Sequence, residues 1–124
     1  MPMTDAVKNA LLDFTYRNTP AGIGTLYVSL HTADPGTTGA NESGLGRQLL
    51  GASAPSAGAT SNAAIIRWNG PAPGATSYTH YGIWDASTAG NFKMGKALTA
   101  TISTGSGGPV EIAAGGLALT VDLV

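Results

Sequence analysis

The apolar and polar positions of this chain follow two periods, one helical and one of the kind found in β-strands. Between Thr4 and Arg17 the apolar residues recur every three or four positions, at Val7, Ala10, Leu11 and Phe14. This spacing places them on one face of an α-helix, and Thr4 or Asp5 is available as its N-cap. The pattern therefore predicts an N-terminal helix or arm within residues 1–20.

From Thr25 onward the pattern changes to alternation. Leu26, Val28 and Leu30 point to one side of an extended chain, and the residues between them point to the other. This is typical of a half-buried β-strand. Further segments of strand type are residues 45–50, 63–69, 77–85, 91–103, 109–114 and 117–124. The predicted core residues are Leu26, Val28, Leu30, Ile65, Ile83, Leu117, Leu119 and Val121.

Turn-forming residues separate these segments, as in Asp34-Pro35-Gly36 and Gly115-Gly116. Many short strands divided by such turns favour a sandwich over alternating β-α units. We predict an all-β fold, a jelly-roll-like or Ig-like β-sandwich of about seven to eight short strands with one N-terminal α-helix. The length of 124 residues fits a single β-sandwich domain over residues 1–124.

Residues 51–62 differ from the rest of the chain in composition. Their sequence, GASAPSAGATSN, is of low complexity and contains almost no side chain that a core would bury. We predict either a long exposed loop or an arm that becomes ordered only against a neighbouring protein.

Composition and charge exclude several classes of protein. Only 10% of the residues are charged and the formal net charge is -1, so no basic surface is available for nucleic-acid phosphates or for a membrane. The absence of cysteine excludes disulfides and thiolate zinc sites. No apolar run approaches the ~18 residues of a membrane span, and the N-terminus lacks the apolar region of a signal peptide. The expected partners are proteins, and no cofactor is predicted.

Four potential ligands lie close together, namely His31, Asp34, Asn41 and Glu42. A calcium loop needs oxygens at regular close spacing, whereas PGTTGA separates Asp34 from Asn41. A zinc site would need the distant His80 and a third ligand. A hydrolase would have to use His31 or His80 as its base, but no G-x-S-x-G nucleophile motif accompanies them. The pattern favours a turn followed by a polar loop, with no catalytic or metal-binding residue.

Large side chains with polar groups occupy both faces of the strand predicted at residues 77–85. Tyr78, His80 and Trp84 share one face, and Tyr81 lies on the other. One face is expected to pack in the core, while exposed Tyr and Trp residues on the other would be good interface anchors. The candidate protein-interface residues are Met1, Pro2, Thr4, Arg47, Arg67, Trp68, Tyr78 and Trp84.

Three segments carry a resemblance to a known family. They are LYVSLHTADPGTTGAN at Leu26–Asn41, THYGIWDASTAGN at Thr79–Asn91 and AAGGLALTVDL at Ala113–Leu123. In these segments the chain resembles a family of small tailed-bacteriophage virion proteins. Members are often labelled phage tail fiber protein, and some resemble capsid decoration (cement) proteins in size and fold. The resemblance implies a structural scaffold and brings no catalytic residue with it.

The function predicted first is that of a non-enzymatic capsid decoration protein. The resemblance implies binding to the outer surface of the major capsid protein lattice, stabilisation of the head, and synthesis in the host cytoplasm. Assembly into a homo-oligomer, expected to be a trimer, would add avidity. The chain has no internal repeat, heptad or collagen-like period of the kind that builds a fibre shaft. The alternatives are a tail or tail-fibre component that attaches to a host surface, and a hydrolase or metal-dependent enzyme.

Overall fold

The computed structural model describes residues 3–18, 24–57, 59–68, 76–104 and 110–120. In these residues one helix, α1, spans Asp5–Arg17. The strands are β1 (Tyr27–His31), β2 (Glu42–Leu49), β3 (Ala59–Ser61), β4 (Ile66–Trp68), β5 (Thr76–Trp84), β6 (Phe92–Thr104), β7 (Val110–Ile112) and β8 (Ala118–Thr120). The fold is mostly β with a short N-terminal helix, as the sequence predicts.

Local sequence sets both ends of α1. Thr4 has extended backbone and is the N-cap, although its side chain makes no capping hydrogen bond. At the other end Asn18 adopts a left-handed φ of 52° and closes the last turn. Asp5 in the first turn and Arg17 in the last turn complement the helix dipole. The helix predicted from the apolar spacing is therefore confirmed.

Four strands form an antiparallel sheet in the order β2-β1-β5-β6. In its centre, Val28 of β1 lies opposite Ile83 of β5. Val28 is buried in the core, and Ser29 and His31, which alternate with the core positions of β1, are buried too. The prediction that β1 is half-buried is therefore wrong. Residues 32–41 fold back over its second face and hydrogen-bond to His31 there.

Two small antiparallel sheets complete the described fold, β3-β8 and β4-β7. Ile66 of β4 lies opposite Ile112 of β7, and both side chains point into the core. The buried core comprises Val28, Leu30, Ile66, Trp68, Tyr78, Tyr81, Ile83, Val110, Ile112 and Leu117. Because its members come from both the large sheet and β4-β7, the sheets pack in a sandwich-like arrangement. The predicted fold class is confirmed.

One predicted core residue is on the surface. Ile65 is 52% exposed, because β4 begins at Ile66 and its alternation directs Ile66 and Trp68 inward. Two adjacent isoleucines allow either phase of a period-two pattern, and the predicted phase is wrong. Leu26 and Leu119 are partly buried against the core, while Val121 lies outside the described residues.

The alternation of side chains between the two faces of β5 is also interrupted. Its pairing with β6 shifts register between Tyr78 and His80. Tyr78 consequently lies in the same core cluster as Tyr81 and Ile83, which strict alternation would place on the opposite face. The predicted division of β5 into two faces is therefore wrong at Tyr78.

The segment at 51–62 differs from the predicted loop. Residues 51–57 are exposed, but Ser56 and Ala59 exchange backbone hydrogen bonds of 2.8 and 3.0 Å, which close a hairpin that includes β3. The side chain of Asn62 fixes the base of this hairpin. Its Nδ2 donates to the carbonyls of Ala64 and Ala113, and its Oδ1 accepts the N–H of Leu117, each at 2.9 Å. The order of this segment comes from contacts within the chain itself.

Candidate interaction surface

Polar and aromatic side chains gather at one end of the four-stranded sheet. The group, called the Trp84 cluster below, comprises Ser29, His31, Arg47, Trp84 and Phe92. Phe92 packs edge-on against the indole of Trp84, with ring centroids 5.2 Å apart. The cluster joins β1, β2, β5 and β6, so every strand of the large sheet contributes to it.

Hydrogen bonds indicate the tautomer of the neutral His31 side chain. Its Nδ1 lies 2.7 Å from the carbonyl oxygen of Ala40, which can only accept, so Nδ1 carries the proton. Its Nε2 lies 2.7 Å from Ser29 Oγ and accepts the hydroxyl proton, while the same oxygen accepts the indole N–H of Trp84 at 2.8 Å. Burial lowers the pKa of His31 from its usual 6.5, against the Ala40 hydrogen bond and the charge of Glu42, which raise it. Burial therefore favours the neutral form of the imidazole.

Arg47 closes the cluster from the side of β2. Its guanidinium donates to both carboxylate oxygens of Glu42, at 2.9 and 3.1 Å, and to the carbonyls of Ala86 and Ala89, at 3.0 and 2.7 Å. It also lies 3.6 Å from the centroid of the Trp84 ring, which is a cation–π contact. Only 9% of the side chain is exposed. Arg47, a candidate interface residue, ties β2 to the loop after β5.

Close backbone packing brings two of the resemblance segments together. A Cβ on Gly39 would lie 2.5 Å from the indole of Trp84, and Gly39 has a left-handed φ of 79°. A Cβ on Gly82 would lie 2.6 Å from His31 Nε2 and 2.8 Å from Ser29 Oγ. These contacts join the first segment, which contains Gly39 and His31, to the second, which contains Gly82 and Trp84. The two resemblance segments thus supply Ser29, His31 and Trp84 of the Trp84 cluster.

The Ser29–His31 pair has the hydrogen bond of a nucleophile and its base, but its surroundings differ from those of a catalytic pair. Both residues are 0% exposed. The hydroxyl oxygen already accepts from Trp84, and the second ring nitrogen of His31 faces a backbone carbonyl. No substrate reaches this hydroxyl in the described conformation, so the pair is placed to stabilise the sheet.

Strand pairing brings the two histidines of the chain together. His31 on β1 lies directly opposite His80 on β5, as the zinc alternative required. His80 Nδ1 lies 2.8 Å from the hydroxyl of Thr79. Among the described residues, no group of three or more potential ligands is placed to hold a metal ion.

The structure corrects the expected exposure of three candidate interface residues. Trp68 and Tyr78 are 0% exposed and Trp84 is 8% exposed. The indole N–H of Trp68 donates to the carbonyl of Gly46 at 3.2 Å, whereas the Tyr78 hydroxyl is buried without a hydrogen-bond partner. These aromatics are core residues of the domain, because β4 and β5 direct them inward.

The remaining candidates differ in environment. Arg67 is exposed and pairs with Glu111 across the β4-β7 ladder. Thr4 is partly buried, and its hydroxyl oxygen is buried without a hydrogen-bond partner. Met1 and Pro2 lie outside the described residues. A role for these residues at an interface stays a prediction.

The helix exposes three large apolar side chains on two of its sides, Phe14 on the predicted apolar face and Leu12 and Tyr16 on the opposite side. Leu12, Phe14 and Tyr16, called the α1 surface below, are 43%, 59% and 79% exposed, whereas Val7 is buried. Leu12 and Tyr16, four residues apart, lie away from the predicted apolar face. That spacing was the signal that could have revealed them. In the described part of the chain, no helix is long and apolar enough to cross a membrane.

The described residues thus combine a β-rich fold, a buried polar cluster and a helix with exposed apolar side chains. A family model described as Podophage GP4 fiber I protein gp80 matches residues 2–120 of the chain. The chain belongs to this family of phage virion fibre proteins, which confirms the resemblance to small tailed-phage virion proteins. No curated protein matches it.

Proposed function

We propose that this protein is a non-enzymatic structural subunit of a podophage fibre apparatus. The observation that carries the proposal is the family match over residues 2–120. The name of that family points to a fibre, the alternative to capsid decoration. A short β domain without a shaft-building repeat cannot extend far from the particle by itself. Its proposed role is therefore to join or terminate longer components, including at the point of host-surface attachment.

The α1 surface is the proposed contact with neighbouring copies of the chain. An isolated helix of 13 residues is marginally stable in water, yet α1 buries only Val7 among its described residues. Phe14 and Tyr16 would gain most from being covered, since apolar burial contributes roughly 25 cal/mol per Å². The nearby charges of Asp13 and Arg17 pair with each other at 3.1 Å, so identical helices meet without strong repulsion. The proposed assembly is a homo-oligomer, expected to be a trimer.

Capsid decoration is the second candidate. The observation that favours it is the compact build, because a cap on a lattice needs a β domain with exposed extensions and no shaft. Residues 51–57 of the hairpin are exposed and would reach a neighbouring subunit. In this role the partner is the major capsid protein, and the site is the outer surface of the capsid.

Labelling the protein in purified particles separates the two roles. A fibre subunit is expected as a small number of copies at the tail. Hundreds of copies spread over the head would overturn the fibre proposal and support decoration.

Particles assembled without the protein provide an independent check. Loss of a fibre subunit is expected to reduce adsorption to host cells and to leave heat-induced rupture of the head unchanged. Loss of a decoration protein would make heads rupture sooner on heating, since lattice cross-links stabilise the assembled state.

The proposed absence of catalysis is supported by the family match and by the buried environment of His31. Turnover of capsule or cell-wall sugars by the protein, abolished in His31→Ala or His80→Ala without unfolding, would contradict it. The retained fold of each variant has to be checked by circular dichroism, because His31 belongs to the Trp84 cluster.

A further inference from the structure

The N-terminal segment from Met3 to the end of α1, called the arm below, is attached to β6 near its beginning. Met3 forms an antiparallel bridge with Met94, and the N–H of Thr4 donates to the carbonyl of Lys93 at 2.9 Å. Met3 and Val7 are 3% and 2% exposed, but neither belongs to the core cluster that joins the sheets. These interactions with β6, called the Met3 contact below, are therefore separate from the core.

The rest of the arm has apolar side chains in water on two sides. Phe14 lies on the same side of α1 as Val7 and is 59% exposed. Leu12 and Tyr16 lie on the opposite side and are 43% and 79% exposed. A neighbouring protein on one side of the helix would leave the other side uncovered. A helix that lies between two copies of the chain would have both sides covered.

The polar groups of the Met3 contact are incompletely paired within the single chain. Thr4 is the N-cap of α1, but its side chain makes no capping hydrogen bond. Its hydroxyl oxygen is buried without a hydrogen-bond partner. An unpaired buried hydroxyl and a missing cap both cost stability. Release of the arm from its own chain therefore costs less than release of an element whose polar groups are all paired.

We propose that the arm is exchanged between copies of this chain. The Met3 contact of one copy forms on β6 of a neighbouring copy, in place of that copy's own arm. Since the chains are identical, the exchange keeps each interaction of the Met3 contact, and α1 comes to lie between two copies. The proposal rests on the homo-oligomer of the proposed function and specifies how its copies are joined.

The length of the connection permits this exchange. Residues 18–26 lie between α1 and β1. A chain of this length spans at most about 30 Å, which is roughly the diameter of a small domain. The arm can therefore reach a neighbouring copy. In a cyclic trimer each copy would give its arm to one neighbour and receive an arm from the other.

Disulfide trapping tests the exchange, because the chain contains no cysteine of its own. The double variant Met3→Cys, Met94→Cys places a thiol on each side of the bridge. Residues opposite each other in antiparallel strands have Cα atoms about 4.5–5.5 Å apart, which suits a disulfide. The full chain is unfolded, refolded in a thiol–disulfide buffer and run on a denaturing gel without reductant. We expect a shift from the monomer mass to covalent dimers and trimers.

A matched control uses a pair that cannot be exchanged with the arm. Ser77 on β5 lies opposite Ser103 on β6, with the two hydroxyl oxygens 3.3 Å apart. The double variant Ser77→Cys, Ser103→Cys should form its disulfide within one chain and keep the monomer mass. If Met3→Cys, Met94→Cys does not fold, Thr4→Cys, Lys93→Cys replaces it, because the same antiparallel register places Thr4 opposite Lys93.

Light scattering of the unchanged chain separates failure of the exchange from failure of the homo-oligomer. Covalent oligomers in the arm variant, with a monomeric control, would support the exchange. An oligomer whose arm disulfide forms within single chains would overturn the exchange and leave the α1 surface as the proposed contact. A monomer in light scattering would overturn both proposals. Equal cross-linking of the control pair would also refute the exchange.

Discussion

The Trp84 cluster and the α1 surface both contain aromatic side chains, but those of the cluster are buried and those of the α1 surface are exposed. In the cluster, the hydroxyl of Ser29 and both ring nitrogens of His31 have partners within the chain, and Trp84 is 8% exposed. On the α1 surface, Phe14 and Tyr16 are more than half exposed. We therefore expect the buried Trp84 cluster to contribute to folding and the exposed α1 surface to contribute to assembly. Changes in the cluster should alter stability, and changes on the α1 surface should alter association.

The largest effect is expected from Gly82→Ala. The added methyl would lie 2.6 Å from His31 Nε2 and 2.8 Å from Ser29 Oγ, so the central hydrogen bond of the cluster has to break or the strands have to separate. The free energy of unfolding should fall by about 3 kcal/mol, the upper part of the usual range for overpacking. Urea unfolding measures it. Gly44→Ala is the control, because a Cβ there meets nothing within 4 Å; equal effects would contradict the packing described.

Two arginine substitutions compare a buried ion pair with an exposed one. Arg47→Lys loses the paired hydrogen bonds to Glu42 and the planar contact with Trp84, so the free energy of unfolding should fall by about 1–2 kcal/mol. Arg67→Lys changes a pair whose arginine side chain is 53% exposed, and should cost less than about 0.5 kcal/mol. Thermal unfolding of both variants checks the order. A larger loss in Arg67→Lys would show that the cluster is not held by Arg47.

The cluster should also make stability depend on pH. The pKa of His31 is lower in the folded chain than its usual 6.5, so below pH 6.5 the unfolded chain binds a proton that the folded chain excludes. Stability is therefore complete above pH 6.5 and should decrease below it, by at most about 1.4 kcal/mol per pH unit, until the folded pKa is reached. Urea unfolding between pH 7.5 and pH 5 measures the slope.

His31→Gln should flatten this dependence between pH 7.5 and pH 5, and an unchanged slope would assign the effect to another group. The contribution of Asp85 can be distinguished from that of His31 because Asp85 titrates at lower pH. Hydrogen bonds from Asn91 hold the pKa of Asp85 below 3.8, so its contribution is present above pH 3.8 and is lost only in stronger acid.

The smallest effect on stability and the largest on assembly are expected from the double variant Phe14→Ser, Tyr16→Ser. Both side chains are mostly exposed in the single chain, so the unfolding free energy of the monomer should change by less than about 0.5 kcal/mol. Light scattering should show a lower molar mass than for the unchanged chain at equal concentration. Ile65→Ser, an exposed apolar residue on the β surface, is the control and should leave the molar mass unchanged. Unaltered mass in the double variant would remove the α1 surface from the proposed interface.

The apolar periodicity of the sequence predicts the helix and most strands correctly. It does not predict reliably which side chains of a strand point into the core. The helix, most strand positions and the fold class follow from apolar spacing and turn residues. The phase of β4 does not, because Ile65 and Ile66 are chemically equal and only the partner β7 decides which one points inward. Tyr78 was misplaced for a related reason, since a register shift in β5 cannot be read from alternation.

The sequence by itself determined the helix, the strand-rich fold and the family of this chain, because these depend on short-range spacing and on motifs that can be compared directly. Only the tertiary structure decided that Trp68, Tyr78 and Trp84 are buried rather than available to a partner. It also showed that Ser29, His31 and Arg47 meet around Trp84. These contacts join residues far apart in the chain, and strand pairing, which local sequence does not encode, brings them together.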